Sequence, residues 1–315
     1  MDNLLSVLSR EEKIAFTLRS LYCKYGYSQY KMSKFEEYDL YVKNKDFLVS
    51  ENIITFTDTD GKLMALKPDV TLSIIKNSKD LEGKVIKVYY NENVYRVSKG
   101  TASFKEIMQA GLECLGEVDD DIITEALYLA AKSLDVISSE NALEISNLDI
   151  VSGVINAFNL SSTAQNDILE FLGEKNVQGI TAVCSREDLS DSQTEVLQKL
   201  ATVYGAPSKV LNNLKAFSIN KETELAVNRF ISIINNLIKM GVEDKIFIDF
   251  SVVNDMKYYN GIAFKGFVEG IPVSVISGGQ YDKLMNKMNK KSKAIGFAVY
   301  LDEISKLSNT YKGEE

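Results

Sequence analysis

Apolar residues recur along this chain with two periods, and the switches between them separate strand-like from helical stretches. Near the amino terminus Ile14, Leu18, Leu21 and Tyr22 share one helical face, and Ser9-Arg10-Glu11-Glu12 before them offers a serine N-cap with glutamates in the first turn. This predicts an amphipathic helix over residues 10–25. From Ile53 to Leu66 two alternating runs flank Asp60-Gly61, the signature of a hairpin. Lys84–Tyr90 and Val94–Val97 read as a further strand pair around Asn91-Glu92-Asn93, and Ile107–Leu115 continues the β pattern. Asp119-Asp120-Asp121 then opens a helix with a stripe of Ile122, Ala126, Leu129, Ala130 and Leu134, its acids suited to the positive end of the helix dipole. Residues 142–150 read as a strand, 152–240 as helical with loop signals at Ser161-Ser162 and Gly205-Ala206-Pro207, and Lys245–Phe250 returns to the sheet pattern. Towards the carboxyl end, Lys257–Phe264, Ser277–Asp282 and Ala294–Ala298 read as three strands of one antiparallel sheet carrying a small-molecule pocket.

Strands joined by hairpins, without regular βαβα alternation, predict an α+β fold: an antiparallel sheet flanked by helices, with a helical insertion. The expected division is a core in two parts, 1–151 and 241–315, around an insertion at 152–240. No GxGxxG or Walker A loop opposes it. Asp58-Thr59-Asp60-Gly61 lacks the further acids of a calcium loop and reads as a turn.

Composition narrows the function. The chain has 315 residues, 45% of them hydrophobic, and a net charge of -8 from 36 Lys plus Arg against 44 Asp plus Glu. That balance disfavours a broad nucleic-acid face, which needs clustered cations. Cys23, Cys114 and Cys184 are widely spaced and predict reduced thiols, without a disulfide framework or zinc site. The amino terminus lacks the features of a secretory signal and no apolar run approaches a membrane span, so a soluble, cytoplasmic chain is expected. The chain contains no histidine, which removes every histidine-based general base, triad and metal ligand.

Seven short motifs occur in the order seen in histidyl-tRNA synthetases: Gly26-Tyr27-Ser28, Thr55-Phe56 through Gly61, Leu66-Lys67-Pro68-Asp69-Val70-Thr71, Tyr95-Arg96, Gln109-Ala110-Gly111-Leu112-Glu113, Tyr258-Tyr259-Asn260-Gly261 and Gly278-Gly279-Gln280-Tyr281-Asp282. The chain resembles that family over most of residues 9–305, apart from the helical insertion. The resemblance implies the class II synthetase fold, with Asp69, Thr71, Gln109, Glu113, Tyr259 and Tyr281 lining a histidine pocket. The chemistry agrees: a carboxylate and hydroxyl suit an α-ammonium, Arg96 suits an α-carboxylate, and Glu113 with two phenols suits an imidazole edge.

The departures from the family bear on activity. Where a synthetase has Arg-X-Glu this chain has Arg96-Val97-Ser98, and the arginines that would face ATP fall on Asn254 and Glu303. Adenylyl transfer needs cations fixed against the developing phosphate charge, and losing one such group costs on the order of a hundredfold in rate. The family's early proline is Ser33, and the sequence stops at Glu315 without an anticodon-reading domain, so no tRNA partner is expected.

A synthetase-like body with an amino-acid pocket and a damaged ATP site resembles the regulatory subunits of ATP phosphoribosyltransferase. That resemblance implies a chain that catalyses nothing and needs no cofactor. It implies self-dimerisation, assembly with a short-form catalytic subunit into a hetero-octamer, and feedback by free histidine on the first step of histidine biosynthesis. A protein made when histidine is scarce also suits a sequence without that residue. Two alternatives stand beside it: a stand-alone histidine sensor with another partner, and a synthetase-like amino-acid ligase.

Overall fold

The structure is a computed structural model and describes residues 7–48, 53–79, 83–97, 103–253, 256 and 258–310, with side chains through residue 305. Helix α1 (Arg10–Lys24) leads to β1 (Ser28–Gln29), β2 (Phe35–Glu37), α2 (Tyr38–Val42), β3 (Thr55–Thr57), β4 (Leu63–Leu66) and α3 (Thr71–Asn77). Two long strands follow, β5 (Val85–Val97) and β6 (Phe104–Gly116), then α4 (Asp120–Ile137) and β7 (Asn141–Asn147). The helical stretch holds α5 (Leu148–Ala157), α6 (Ser162–Gly173), α7 (Val177–Arg186), α8 (Asp191–Thr202), β8 (Tyr204–Gly205), α9 (Pro207–Val210) and α10 (Lys221–Lys239). The chain closes with β9 (Ile246–Asp249), β10 (Asn260–Val268), β11 (Ile276–Gln280), α11 (Asp282–Lys287), β12 (Lys293–Tyr300) and α12 (Leu301–Thr310).

Local chemistry explains many of these boundaries. Ser9 and Glu12 form a reciprocal capping box at the start of α1. Asp119 caps α4 by accepting the Ile122 N–H. The β3–β4 hairpin turns where Asp58 Oδ1 accepts the N–H groups of Asp60 and Lys62 and Gly61 takes φ +79°, so this acidic run serves a turn.

Among the described residues nine strands form the main sheet in the order β1-β5-β6-β12-β11-β10-β7-β9-β8, while β2-β4-β3 form a separate sheet. The three carboxy-terminal strands are adjacent and antiparallel, as the sequence predicts. The main sheet is mixed, however, because β1 runs parallel to β5 and β7 parallel to β9. The second parallel pair arises because the helices between β7 and β9 carry the chain back across the sheet, the long return that parallel neighbours require. Within that stretch β8 joins the sheet edge beside β9, with Tyr204 stacked on Phe247 and beneath the Lys175 ammonium.

Two further expectations need correction. Asn91-Glu92-Asn93 makes no turn: β5 is one strand paired with β6 in unbroken register from Val85↔Gly116 to Val97↔Phe104. Its polar residues can stay in the ladder because Glu92 pairs with the buried Lys67 ammonium and Asn93 donates to Glu106. The strand expected at 142–150 stops at Asn147, whose side chain accepts the N–H groups of Asp149 and Ile150 and starts α5.

A core fills each face of the main sheet. On one, α1, α4 and α12 pack against the central strands, and α4 buries Ile123, Leu127, Leu129, Leu134 and Ile137. Each such side chain is worth roughly 1.5–3 kcal/mol of burial. The smaller core on the opposite face gathers Tyr41, Leu72, Ile74, Ile75, Tyr90 and Leu284, and a cavity opens beside it.

Candidate functional site

Paired residues on neighbouring antiparallel strands point to the same face, so the register lays out the cavity floor in rows. One row runs Ala263–Gly279–Gly296–Glu113–Val88, and the next runs Lys265–Ser277–Ala298–Gly111–Tyr90. A third contains Tyr300, Gln109 and Glu92. Over this floor lies a cavity of about 390 Å³, walled by the start of α3 and by the Tyr258-Tyr259 segment before β10.

The glycines in these rows give the larger side chains room to lie flat. A Cβ on Gly296 would collide with the Glu113 carboxyl, one on Gly111 with the Tyr90 ring, and one on Gly279 with the Tyr259 ring. Two motifs also brace each other across β10 and β11. Asn260 and Asp282 exchange hydrogen bonds, Gln280 Oε1 accepts the Ile262 N–H at 2.9 Å, and Asp282 accepts the Ala294 N–H. Gly261 bends here with φ +58°, where any Cβ would also strike the Gln280 amide.

Asp69, Thr71, Arg96, Gln109, Glu113, Tyr259 and Tyr281, named from the sequence, all line this one cavity. Glu113 is the centre of the arrangement, 2% exposed. Its carboxylate accepts the Thr71 hydroxyl at 2.8 Å and the Tyr281 hydroxyl at 2.6 Å. Burial pushes its pKa up to about 8, against the two hydroxyl donors and with a small further push from the Asp69 charge. The Thr71 hydroxyl, expected with a carboxylate beside an α-ammonium, is thus bonded to Glu113. Asp69 accepts the Leu72 N–H at 2.8 Å, and burial raises its pKa against that bond and against the nearby Arg96 charge. Arg96 donates its Nε to the Pro68 carbonyl at 3.1 Å. Gln109 is buried and its Nε2 has no hydrogen-bond partner among the described residues, a donor beside a cavity.

Tyr258 packs edge-on against Tyr259, ring centroids 4.7 Å apart, and its hydroxyl is raised well above 10 by burial. It lines the cavity together with Tyr90, Lys265, Ser277 and Tyr300, none of which was singled out from the sequence as a site residue. Lys265 had a signal, a lone cation after Ile262-Ala263-Phe264, but a charge at a strand position reads first as solvated. Ser98, Asn254, Asp255 and Lys257 lie outside the described residues. Glu303 sits half-buried on α12, away from the cavity lining.

The combination is chemically directional. Carboxylates at Glu113 and Asp69 can receive N–H groups and positive charge, while Arg96, Lys265 and Gln109 offer donors. A small zwitterion with a polar ring matches such a cavity. Among the described residues no group of His, Cys, Asp or Glu is placed to hold a metal ion, and no helix is long and apolar enough to cross a membrane.

Comparison with known proteins gives a concordant picture. The sequence profile of the histidyl-tRNA synthetase family matches residues 1–304. A curated relative from Caldanaerobacter subterraneus subsp. tengcongensis, an ATP phosphoribosyltransferase regulatory subunit, is 29% identical over 302 residues, 94% of this chain and 78% of its own. Among solved structures, an ATP phosphoribosyltransferase regulatory subunit/histidyl-tRNA synthetase from Bacillus halodurans superposes with TM-score 0.81 at 22% identity, covering 94% of this chain and 78% of that one. A chain of the ATP phosphoribosyl transferase (HisG:HisZ) complex from Thermotoga maritima superposes with TM-score 0.70 at 18% identity, covering 91% and 96%.

Proposed function

The chain belongs to the histidyl-tRNA synthetase family, and from that membership we propose that it serves ATP phosphoribosyltransferase as a regulatory subunit that performs no chemistry and senses free histidine in the Glu113 cavity. The observation that carries this reading is the buried carboxyl of Glu113, held by Thr71 and Tyr281 in a cavity that the donors Arg96, Gln109 and Lys265 also line. An imidazole N–H meets Glu113, the α-ammonium meets Asp69, and the edge-packed Tyr258 and Tyr259 cover the ligand. The absent cations of an adenylating site, Asn254 and Glu303 in their places, support a subunit that binds and does not activate.

Its partner in this reading is a short-form catalytic subunit, in a hetero-octamer built on a dimer of this chain, with no tRNA. Feedback follows from linkage. Histidine that binds one conformation of the assembly better than another shifts the equilibrium by its differential affinity, typically ~1–3 kcal/mol for such couplings.

Mixing tests the reading directly. Purified chain added to a short-form ATP phosphoribosyltransferase is expected to co-elute with it, raise its turnover, and make that turnover sensitive to histidine. Failure to co-elute or activate, with histidine binding retained, would favour a stand-alone sensor. Pyrophosphate exchange with histidine and ATP is expected to stay at background; clear exchange would restore the ligase alternative.

A further inference from the structure

Resting on the histidine reading, we infer that the ligand's carboxylate is held by Lys265 and Ser277 on the cavity floor, and that Arg96, the residue suited to that role by type, instead steadies Asp69. Three observations place it there.

The first is the commitment of Arg96. Its Nε already donates to the Pro68 carbonyl, the residue before Asp69, and its charge is one of the influences that oppose the burial-driven rise of the Asp69 pKa. Both partners lie in the wall segment just before α3. Arg96 therefore fixes the group that receives the ammonium. On β5 it also stands two rows beyond the row of Gln109, on the far side from Glu113.

The second is the position of Lys265. It shares a floor row with Ser277, Ala298 and Gly111, and both it and Ser277 line the cavity. Ala298 raises only a methyl group from the floor, and the Tyr90 ring lies over Gly111 beyond it, so the row is low between Ser277 and the Tyr90 ring. Ser274 also lines this end and adds a hydroxyl. On its other side Lys265 faces Glu144 on β7, whose carboxyl is raised by burial and lowered by Lys175 and Lys265. The cation is thus placed between the Glu144 acid and the Ser277 hydroxyl, in a partly buried setting where a charge-assisted bond to a ligand counts for more than in water.

The third is span. The Glu113 carboxyl lies over Gly296 on β12, and Lys265 stands two strands across and one row along. With strands ~4.8 Å apart and ~3.4 Å per residue, that puts the Lys265 Cα about 12 Å from the carboxyl. An extended lysine stem covers about half of this. A stem that stands off the floor instead of reaching along it leaves the whole of that separation to the ligand, and a histidine from ring nitrogen to carboxylate, with a hydrogen bond of ~2.8 Å at each end, spans a distance of that order.

The test compares histidine, histamine and histidine methyl ester by titration calorimetry on the intact chain. Histamine lacks the carboxylate and the ester lacks its charge. Wild type is expected to favour histidine over both at least tenfold. Lys265→Met is expected to bind histamine as wild type does and histidine no better than histamine, while Lys265→Arg restores much of the preference. Arg96→Met is expected to weaken all three ligands together, because it loosens the ammonium partner. Should Lys265→Met not fold, Lys265→Gln with Ser277→Ala makes the same comparison. Retention of the tenfold preference by the Lys265 variants, or its selective loss in Arg96→Met, overturns the assignment. Absence of binding by any of the three ligands to wild type overturns the histidine reading itself, and the assignment with it.

Discussion

Replacing Glu113 by glutamine is expected to flatten the pH dependence of stability between about pH 5 and 8, leaving the variant more stable than wild type at the upper end and close to it at the lower. Glu113 has a folded pKa of about 8 against an ordinary value of 4.5. Between those values the folded chain holds a proton that the unfolded chain has released. Unfolding therefore becomes easier as pH rises, by up to about 1.4 kcal/mol per pH unit for one such group, and the loss levels off above pH 8. Glutamine cannot ionise and keeps nearly the same shape. Its amide can still accept one of the hydroxyls of Thr71 and Tyr281 and donate to the other. Denaturant titrations of ligand-free protein at several pH values decide the matter: parallel profiles for wild type and variant would mean that Glu113 is not the buried acid described above. Histidine affinity of the variant is expected to fall at least tenfold at pH 8, since the charge that receives the ring N–H is gone. That two-sided outcome, stability gained and affinity lost, is characteristic of a group kept for its ligand.

Gly296→Ala is expected to be costly for a different reason. The added methyl would sit inside the Glu113 carboxyl and 2.6 Å from the Leu112 carbonyl of the adjacent strand. Neither neighbour has room to retreat, because the carboxyl is tied to Thr71 and Tyr281 and the carbonyl belongs to the β6–β12 ladder. Overpacking of this kind typically costs about 1–3 kcal/mol. Histidine binding should disappear with it, since the strain is relieved by turning Glu113 away from its two hydroxyls. Thermal melts and titration calorimetry on the variant check both parts; an unchanged melting temperature with unchanged affinity would show that the floor is not packed as described.

The features that were legible in the sequence are those whose causes are local. The Ser9 cap of α1, the opening of α4 at the acidic run from Asp119 and the Asp58–Gly61 turn each depend on groups within four residues of one another, and all three form where the pattern predicts; the return bond from Glu12 and the capping bond to Asp119 are details the structure adds. The strand through Asn91-Glu92-Asn93 was misread for the opposite reason. Its continuity depends on Lys67, which arrives from before α3, and on Glu106 across the ladder. Asn147 shows the limit in between: its capping bonds are local, but an asparagine at the end of an apolar run looks the same whether it ends a strand or begins a helix.

The site divides along the same line. By itself the sequence determined the family, the zero-histidine composition, and a set of seven side chains whose types suit an amino acid; these are properties of residue identity and order, which folding does not alter. Only the tertiary structure decided how those side chains are used. The sheet register sets Gly296 beneath Glu113, Gly111 beneath Tyr90 and Gly279 beneath Tyr259, and it brings Lys265 into the same cavity. Burial then makes Glu113 a weak acid, with Thr71 supplying one of its two hydroxyls. Long-range pairing and desolvation belong to the assembled chain, and no local pattern of residues encodes either.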